Sequence, residues 1–182
     1  MSRITIPAVE HAPVASKPLL DAVHKQLGVV PNLMKVVGHS PAALEGYLSL
    51  NGALAKGSLS VQLRERIALA IAEFNGCEYC LAAHSYLGRN VAKLDDAEID
   101  LARDARSGDA QTQAALQFAR AVAAKRGNVA DEDVTTLRNA GFDDAAIIEI
   151  VANVALNVLT NYINNVVQTT VDFPRVELKR AA

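Results

Sequence analysis

The sequence predicts an all-α chain of about eight helices forming one domain over residues 1–182. Three observations lead there. Hydrophobic residues make up 51% and charged residues 21% of 182 positions, enough apolar material for one core and too little length for a second. Aromatics are only 4%, tryptophan is absent, and Ala, Leu and Val dominate, a balance that suits packed helices better than a β-sandwich. Apolar residues recur at helical spacing between Gly, Pro, Ser and Asp breakers, and no segment alternates as a strand with hairpin turns does.

The elements follow in order. Residues 1–14 contain Pro7 and Pro13 and no helical period, and read as an extended arm. Lys17 to Leu27 reads as the first helix, with Leu19, Leu20, Val23 and Leu27 on one side; Gly28 stops it, and Val29-Val30-Pro31 is extended. Ser40-Pro41 opens a second helix, running to Lys56 before Gly57. Ser60 caps a third over Val61 to Phe74, where Leu63, Ile67, Ala70, Ile71 and Phe74 form a stripe. Asn75-Gly76 breaks the chain, and a fourth helix begins at about Cys77 and reaches Leu87, with Gly88 as its stop. Ala97 to Ala105, Asp109 to Lys125 and Asp131 to Asn139 read as three more. Asp143 or Asp144 caps the last long helix, to about Val171, and residues 172–182 form an extended tail around Pro174.

Charge and cysteine usage exclude several function classes. The 18 basic and 20 acidic side chains leave a net charge of −2, whereas a protein that holds nucleic acid by neutralising phosphates is usually basic. Met1 to Leu20 lacks an export signal, and the apolar run Ala145 to Thr160 is interrupted by Glu149, Asn153 and Asn157 and falls short of a membrane span. The expectation is a cytoplasmic chain with no membrane partner. The two cysteines, Cys77 and Cys80, are three apart. A disulfide between them closes a tiny loop and restrains the unfolded chain little, so chemistry explains the pair better than stability does.

The chemistry concentrates in Arg64 to His84, which contains Cys77-x-x-Cys80-x-x-x-His84. On a helix Cys80 and His84 share a face, with Cys77 on the same side at the first turn. A helix N-terminus lowers a thiol pKa, and a neighbouring imidazole can accept the thiol proton. A second thiol within reach diverts a sulfenic acid into a disulfide. If the two helices fold back at Asn75-Gly76, Glu65 lies roughly 15 Å before the bend and His84 roughly 12 Å after it, nearly level. That gives a relay Glu65–His84–Cys80. Glu73, near the bend and closer to Cys77, is the second candidate, and Glu78 suits a first-turn capping role.

These residues resemble the active-site pattern of the alkylhydroperoxidase AhpD branch of the carboxymuconolactone decarboxylase family. The resemblance rests on the spacing of Glu65, Cys77, Cys80 and His84, the Asn75-Gly76-Cys77 entry and the Ala83-His84 pair. Pro31-Asn32-Leu33, Ser40-Pro41 and the ending Val171-Asp172-Phe173-Pro174 resemble its peroxidase-related subgroup. The resemblance implies an AhpD-like helical bundle that assembles as a homo-oligomer, a trimer or hexamer. It implies a thiol peroxidase without cofactor or metal that takes a hydroperoxide substrate and a dithiol electron donor of the lipoyl type. Cys80 is then the attacking thiol, Cys77 the resolving thiol, and His84 with Glu65 the proton relay. One position departs from the pattern: Tyr79 stands where AhpD has a second His between the cysteines. As a pocket or relay residue Tyr79 could donate a hydrogen bond, but it is a poor base near neutral pH.

Rival readings weigh less. Structural zinc lacks an evident fourth ligand, and c-type haem attachment needs His where Leu81 stands. His11, His24 and His39 have no clustered partners, and Arg64 and Arg66 read as solvated or as intersubunit ion pairs. Asn161, Asn164 and Asn165 either border the pocket or serve as caps and interface donors. An offset of 84 lays Leu63–Ala68 on Ile147–Ala152 and Cys80 on Asn164; chance similarity of two Ala-rich helices explains it as readily as duplication. A redox sensor or a dithiol–disulfide oxidoreductase uses the same cysteine pair without peroxide turnover.

Overall fold

The computed structural model describes residues 2–179. Among these there is no strand, and the chain forms nine α-helices after two short 3-10 turns, Val9–His11 and Val14–Ser16. The helices are α1 (Lys17–Leu27), α2 (Asn32–Val37), α3 (Pro41–Leu54), α4 (Val61–Phe74), α5 (Glu78–Asn90), α6 (Asp96–Arg103), α7 (Ala110–Lys125), α8 (Asp131–Asn139) and α9 (Asp144–Val167). The all-α class holds, with one helix more than the local pattern predicts.

α4 is the central helix. Ser60 accepts the Leu63 N–H at 3.2 Å to start it, and Leu63 and every residue from Ile67 to Ala72 are buried. Its small alanines let α5, α6, α7 and α9 approach on several sides. The extra helix is α2. No side chain within it or before it caps its first turn; instead Asp172 Oδ2, 140 residues away, accepts the Asn32 N–H at 2.8 Å. An orphan N–H satisfied from that distance leaves no local signature.

Several boundaries shift for packing reasons. α5 runs through Gly88 to Asn90, because Gly88 is buried and a side chain there would lie 3.6 Å from Leu94 and Ile99. α3 ends at Leu54, before Lys56. α9 stops at Val167, where Gln168 turns left-handed at φ 56°, rather than at Val171. The arm over residues 1–14 contains the first 3-10 turn and the start of the second, and its residue 1 lies outside the described residues, as do residues 180–182 of the tail. The tail packs Val171, Phe173, Val176 and Leu178 back onto the core. α9 is long and apolar enough to cross a membrane by length and composition, contrary to the reading of Ala145 to Thr160; half of its apolar window is buried inside the protein.

Candidate active site

The site is built on the α4–α5 hairpin. Gly76 sits at φ 62°, and the Cys77 N–H donates to the Ala72 carbonyl at 2.9 Å, so the chain reverses tightly. Cys77 is the N-cap of α5: its Sγ accepts the Cys80 N–H at 3.2 Å. The reversal sets α5 antiparallel to α4 and brings Glu65 level with His84. The His84 Nδ1–H donates to Glu65 Oε2 at 2.8 Å. A carboxylate only accepts, so Nδ1 carries the proton and Nε2 is left to take or give another.

The two thiols are unbonded, and both are buried, Cys77 at 0% and Cys80 at 2% exposure. Their environments differ. Burial works to raise the Cys80 thiol, but a hydrogen bond from the Cys77 thiol, the charge of His84 and the amides of Asn164 and Asn161 outweigh it and bring it down to about 7. Cys77 moves the other way, raised by giving its proton toward Cys80 and by burial. Burial opposes charging the His84 ring, yet the Glu65 carboxylate beside it prevails and raises it. The group holds one acidic thiol, one thiol kept protonated, and a carboxylate-backed imidazole, which suits proton removal from Cys80 followed by nucleophilic attack.

The two remaining residues of the predicted site take other partners than the relay, and Tyr79 also lines the cavity beside it. Glu73 is not near the thiols' relay: Arg103 Nε donates to its Oε2 at 2.8 Å and the Lys179 N–H to its Oε1 at 2.6 Å, a largely buried pair that pins the tail. The Tyr79 phenol bonds to α2 and the tail. It accepts the Leu33 N–H at 3.1 Å and donates to Asp172 Oδ1 at 2.8 Å, with Phe173 edge-on to its ring at 5.8 Å. Its burial raises the phenol well above its ordinary value, so it acts as a clasp for the tail and not as a base. Glu78 is exposed in the first turn of α5. Arg66 pairs with Glu98 within the chain.

Sequence reasoning missed Tyr47 on α3. Burial, with the negative charges of Cys80 and Glu65 nearby, pushes its phenol up to about 12, so it stays protonated beside the site. Its position thirteen residues before the α4 cap carried no local signal. Of Asn161, Asn164 and Asn165 on α9, Asn164 and Asn165 line the cavity described below, and Asn165 also serves the C-cap of α4. Asn164 Nδ2 donates to Cys80 Sγ at 3.2 Å, Asn75 Nδ2 donates to Asn161 Oδ1 at 2.8 Å, and Asn165 Nδ2 donates to the Asn75 carbonyl at 2.9 Å. Asn161 Nδ2 and Asn164 Oδ1 are buried without a partner, at a cost of about 1–3 kcal/mol each. The offset of 84 does juxtapose Cys80 and Asn164. It matches a two-helix hairpin to one uninterrupted helix, however, so the shared fold that a duplication leaves is absent.

Between the start of α5, the end of α9 and the tail lies a cavity of about 850 Å3, lined in part by Tyr79, Ala82, Asn164, Gln168 and Arg175. Asn164 belongs both to its wall and to the thiol group.

Residues 41–125 match the model of the carboxymuconolactone decarboxylase family. No curated protein matches the sequence. Among solved structures, a peroxidase-related protein with an alkylhydroperoxidase AhpD core from Ralstonia eutropha JMP134 is 26% identical, covering 94% of this chain and 92% of that one with a TM-score of 0.84. A peroxidase-related protein from Silicibacter sp. TM1040 is 23% identical over 93% of this chain and 91% of its own, TM-score 0.81. A cysteine-to-alanine variant of the debrominase Bmp8, in complex with 2,3,4-tribromopyrrole, is 20% identical over 94% of each chain, TM-score 0.78. The latter two share the fold.

Proposed function

We propose that this chain, which belongs to the carboxymuconolactone decarboxylase family in its AhpD-like form, is a thiol-dependent hydroperoxide reductase. The observation that carries the reading is the 2.8 Å contact between His84 and Glu65 beside a Cys80 thiol brought down to about 7. The family resemblance of the Cys77–Cys80 spacing and the 26% identical peroxidase-related relative support the choice of a peroxide as oxidant.

In the proposed cycle His84, held by Glu65, takes the Cys80 proton. The thiolate attacks the terminal oxygen of a hydroperoxide; the S–O bond forms as the O–O bond breaks. Sulfur is oxidised by two electrons, the hydroperoxide is reduced, and His84 returns its proton to the departing alkoxide or hydroxide. Cys77 then attacks the sulfenic sulfur and releases water, leaving the Cys77–Cys80 disulfide. An external dithiol, such as a lipoyl group, restores both thiols by exchange. The cavity beside Asn164 is the proposed approach for substrate.

The reading also places the protein in the cytoplasm as a homo-oligomer, a trimer or hexamer. Supporting assembly, α9 exposes Ile148, Val151, Leu159, Tyr162 and Val166 along one face, spaced three or four apart or at multiples of that spacing and carrying no charge, which suits a second copy of the same helix. Light scattering on the purified chain is expected to report a multiple of the 19.3 kDa protomer; a monomer at micromolar concentration removes the assembly.

The central test is hydroperoxide consumption with a panel of donors including dihydrolipoamide. Wild type is expected to turn over many equivalents, Cys80→Ser to lose all consumption, and Cys77→Ser to stop after one oxidation. Consumption unchanged in Cys80→Ser removes the mechanism. One oxidation per wild-type chain with no turnover assigns a redox sensor instead, and preferential reduction of disulfides assigns a dithiol–disulfide oxidoreductase.

A further inference from the structure

We infer that Asn161 and Asn164 form a two-amide cradle on α9 that makes Cys80, rather than Cys77, the anionic thiol, with Asn75 as the positioning residue that aims it. The inference rests on the proposed reading of Cys80 as the attacking sulfur.

Helix position alone favours the opposite choice. Cys77 occupies the N-cap of α5, where the partial positive charge of the helix is strongest, and it also accepts the Cys80 N–H. The Cys77 hydrogen bond and the His84 charge work against that order from within the α5 segment, and the amides of α9 add to them from outside it. The groups around Cys80 are Cys77, Tyr79 and His84 from the α5 segment, Glu65 from α4 behind His84, Tyr47 from α3, and the two amides from α9. Glu65 is an anion and Tyr47 is neutral. His84 supplies one positive charge, and the Cys77 thiol and the two amides supply the donors.

The amides are placed for this and for little else. Asn164 Nδ2 lies 3.2 Å from Cys80 Sγ while its Oδ1 is buried without a partner. Asn161 is fully buried one turn before Asn164 on the same face of α9, and its Nδ2 also lacks a partner. Asn75 Nδ2 takes the Asn161 oxygen at 2.8 Å, which turns the nitrogen inward, and Asn165 anchors the Asn75 carbonyl at 2.9 Å. A buried N–H with no acceptor is a standing cost that a thiolate at that spot relieves. Asn164 can also reach Cys77, but its nitrogen is set on Cys80. The cradle therefore acts on the difference between the two sulfurs.

The test uses the full-length reduced protein, iodoacetamide over a pH series, and peptide mass spectrometry to follow each cysteine separately. Asn164→Leu and Asn161→Leu are each expected to raise the pH midpoint of Cys80 alkylation by about one unit, so the rate below the midpoint falls roughly tenfold while the limiting rate at high pH is kept. The double variant should move first alkylation from Cys80 toward Cys77. Asn164→Asp, which keeps shape and adds a repelling charge, should raise the midpoint further and covers the case of a leucine variant that does not fold. Midpoints unchanged in folded Asn164→Leu and Asn164→Asp, or shifted equally for both cysteines, overturn the cradle. The readout needs no turnover: shifted midpoints in a protein that consumes no hydroperoxide overturn the peroxidase reading and keep the cradle, and turnover without any shift does the reverse.

Discussion

The phenol of Tyr79 donates to Asp172 at 2.8 Å, joining the residue between the two cysteines to the tail that closes the chain. The same carboxylate caps α2 through the Asn32 N–H, so one side chain ties together α2, α5 and the tail. Tyr79→Phe keeps the ring against Phe173 and removes this link. A loss of about 1–2 kcal/mol is expected, a fall in Tm of about 2–8 °C. Hydrogen exchange over residues 171–179 should quicken in parallel. An unchanged Tm with unchanged exchange refutes the clasp.

Glu65 and Glu73 were the two carboxylates in contention for the relay, and the fold separates them. Glu65→Gln removes the charge that raises His84, and alkylation of Cys80 at about pH 7 is expected to slow roughly three- to tenfold. Glu73→Gln should leave that rate alone and lower the Tm. The reverse pattern returns the relay to Glu73.

Arg103 and Glu73 are 11% and 8% exposed, and each also bonds the tail, Arg103 through the Glu177 carbonyl. Replacing Arg103 by Met leaves a buried carboxylate with one partner fewer, at a cost of about 3–5 kcal/mol. Arg89→Ala, which breaks a pair exposed at 45% and 81%, should cost no more than about 1 kcal/mol. Denaturant unfolding of the two variants checks the contrast; equal losses refute it.

Stability should respond to pH in opposite ways at the two titrating groups. His84 is raised in the folded chain, so its contribution is complete below the ordinary value of 6.5 and is lost as pH rises through the raised value. Cys80 is lowered from 9.0 to about 7, so its contribution is complete above 9.0 and is lost as pH falls through about 7. Between 6.5 and 9.0 the two offset. Cys80→Ser removes the second and leaves the larger part of the first, which comes from Glu65, so its Tm should fall across that window more steeply than that of wild type. Parallel Tm profiles count against the assigned shifts.

The sequence by itself determined what local chemistry and periodicity can carry. Apolar spacing and Ser, Asp and Gly signals place α1 and α3 through α9 to within a few residues, because such helices are started and stopped by neighbours in the chain. The i, i+4 relation of Cys80 and His84 follows from helix geometry alone, and a tight turn at Asn75-Gly76 is enough to bring Glu65 level with the ring. What only the tertiary structure decided is whatever depends on partners far apart in sequence. α2 needs Asp172, 140 residues on, to complete its first turn. Glu73 was drawn away by Arg103 and Lys179, and Tyr79 by Leu33 and Asp172. The asymmetry between the two thiols comes from the hydrogen bond between them, from His84 and from amides delivered by α9, since a sulfur's acidity is set by the charges and donors around it in space, and two of the four groups that lower Cys80 come from that other helix.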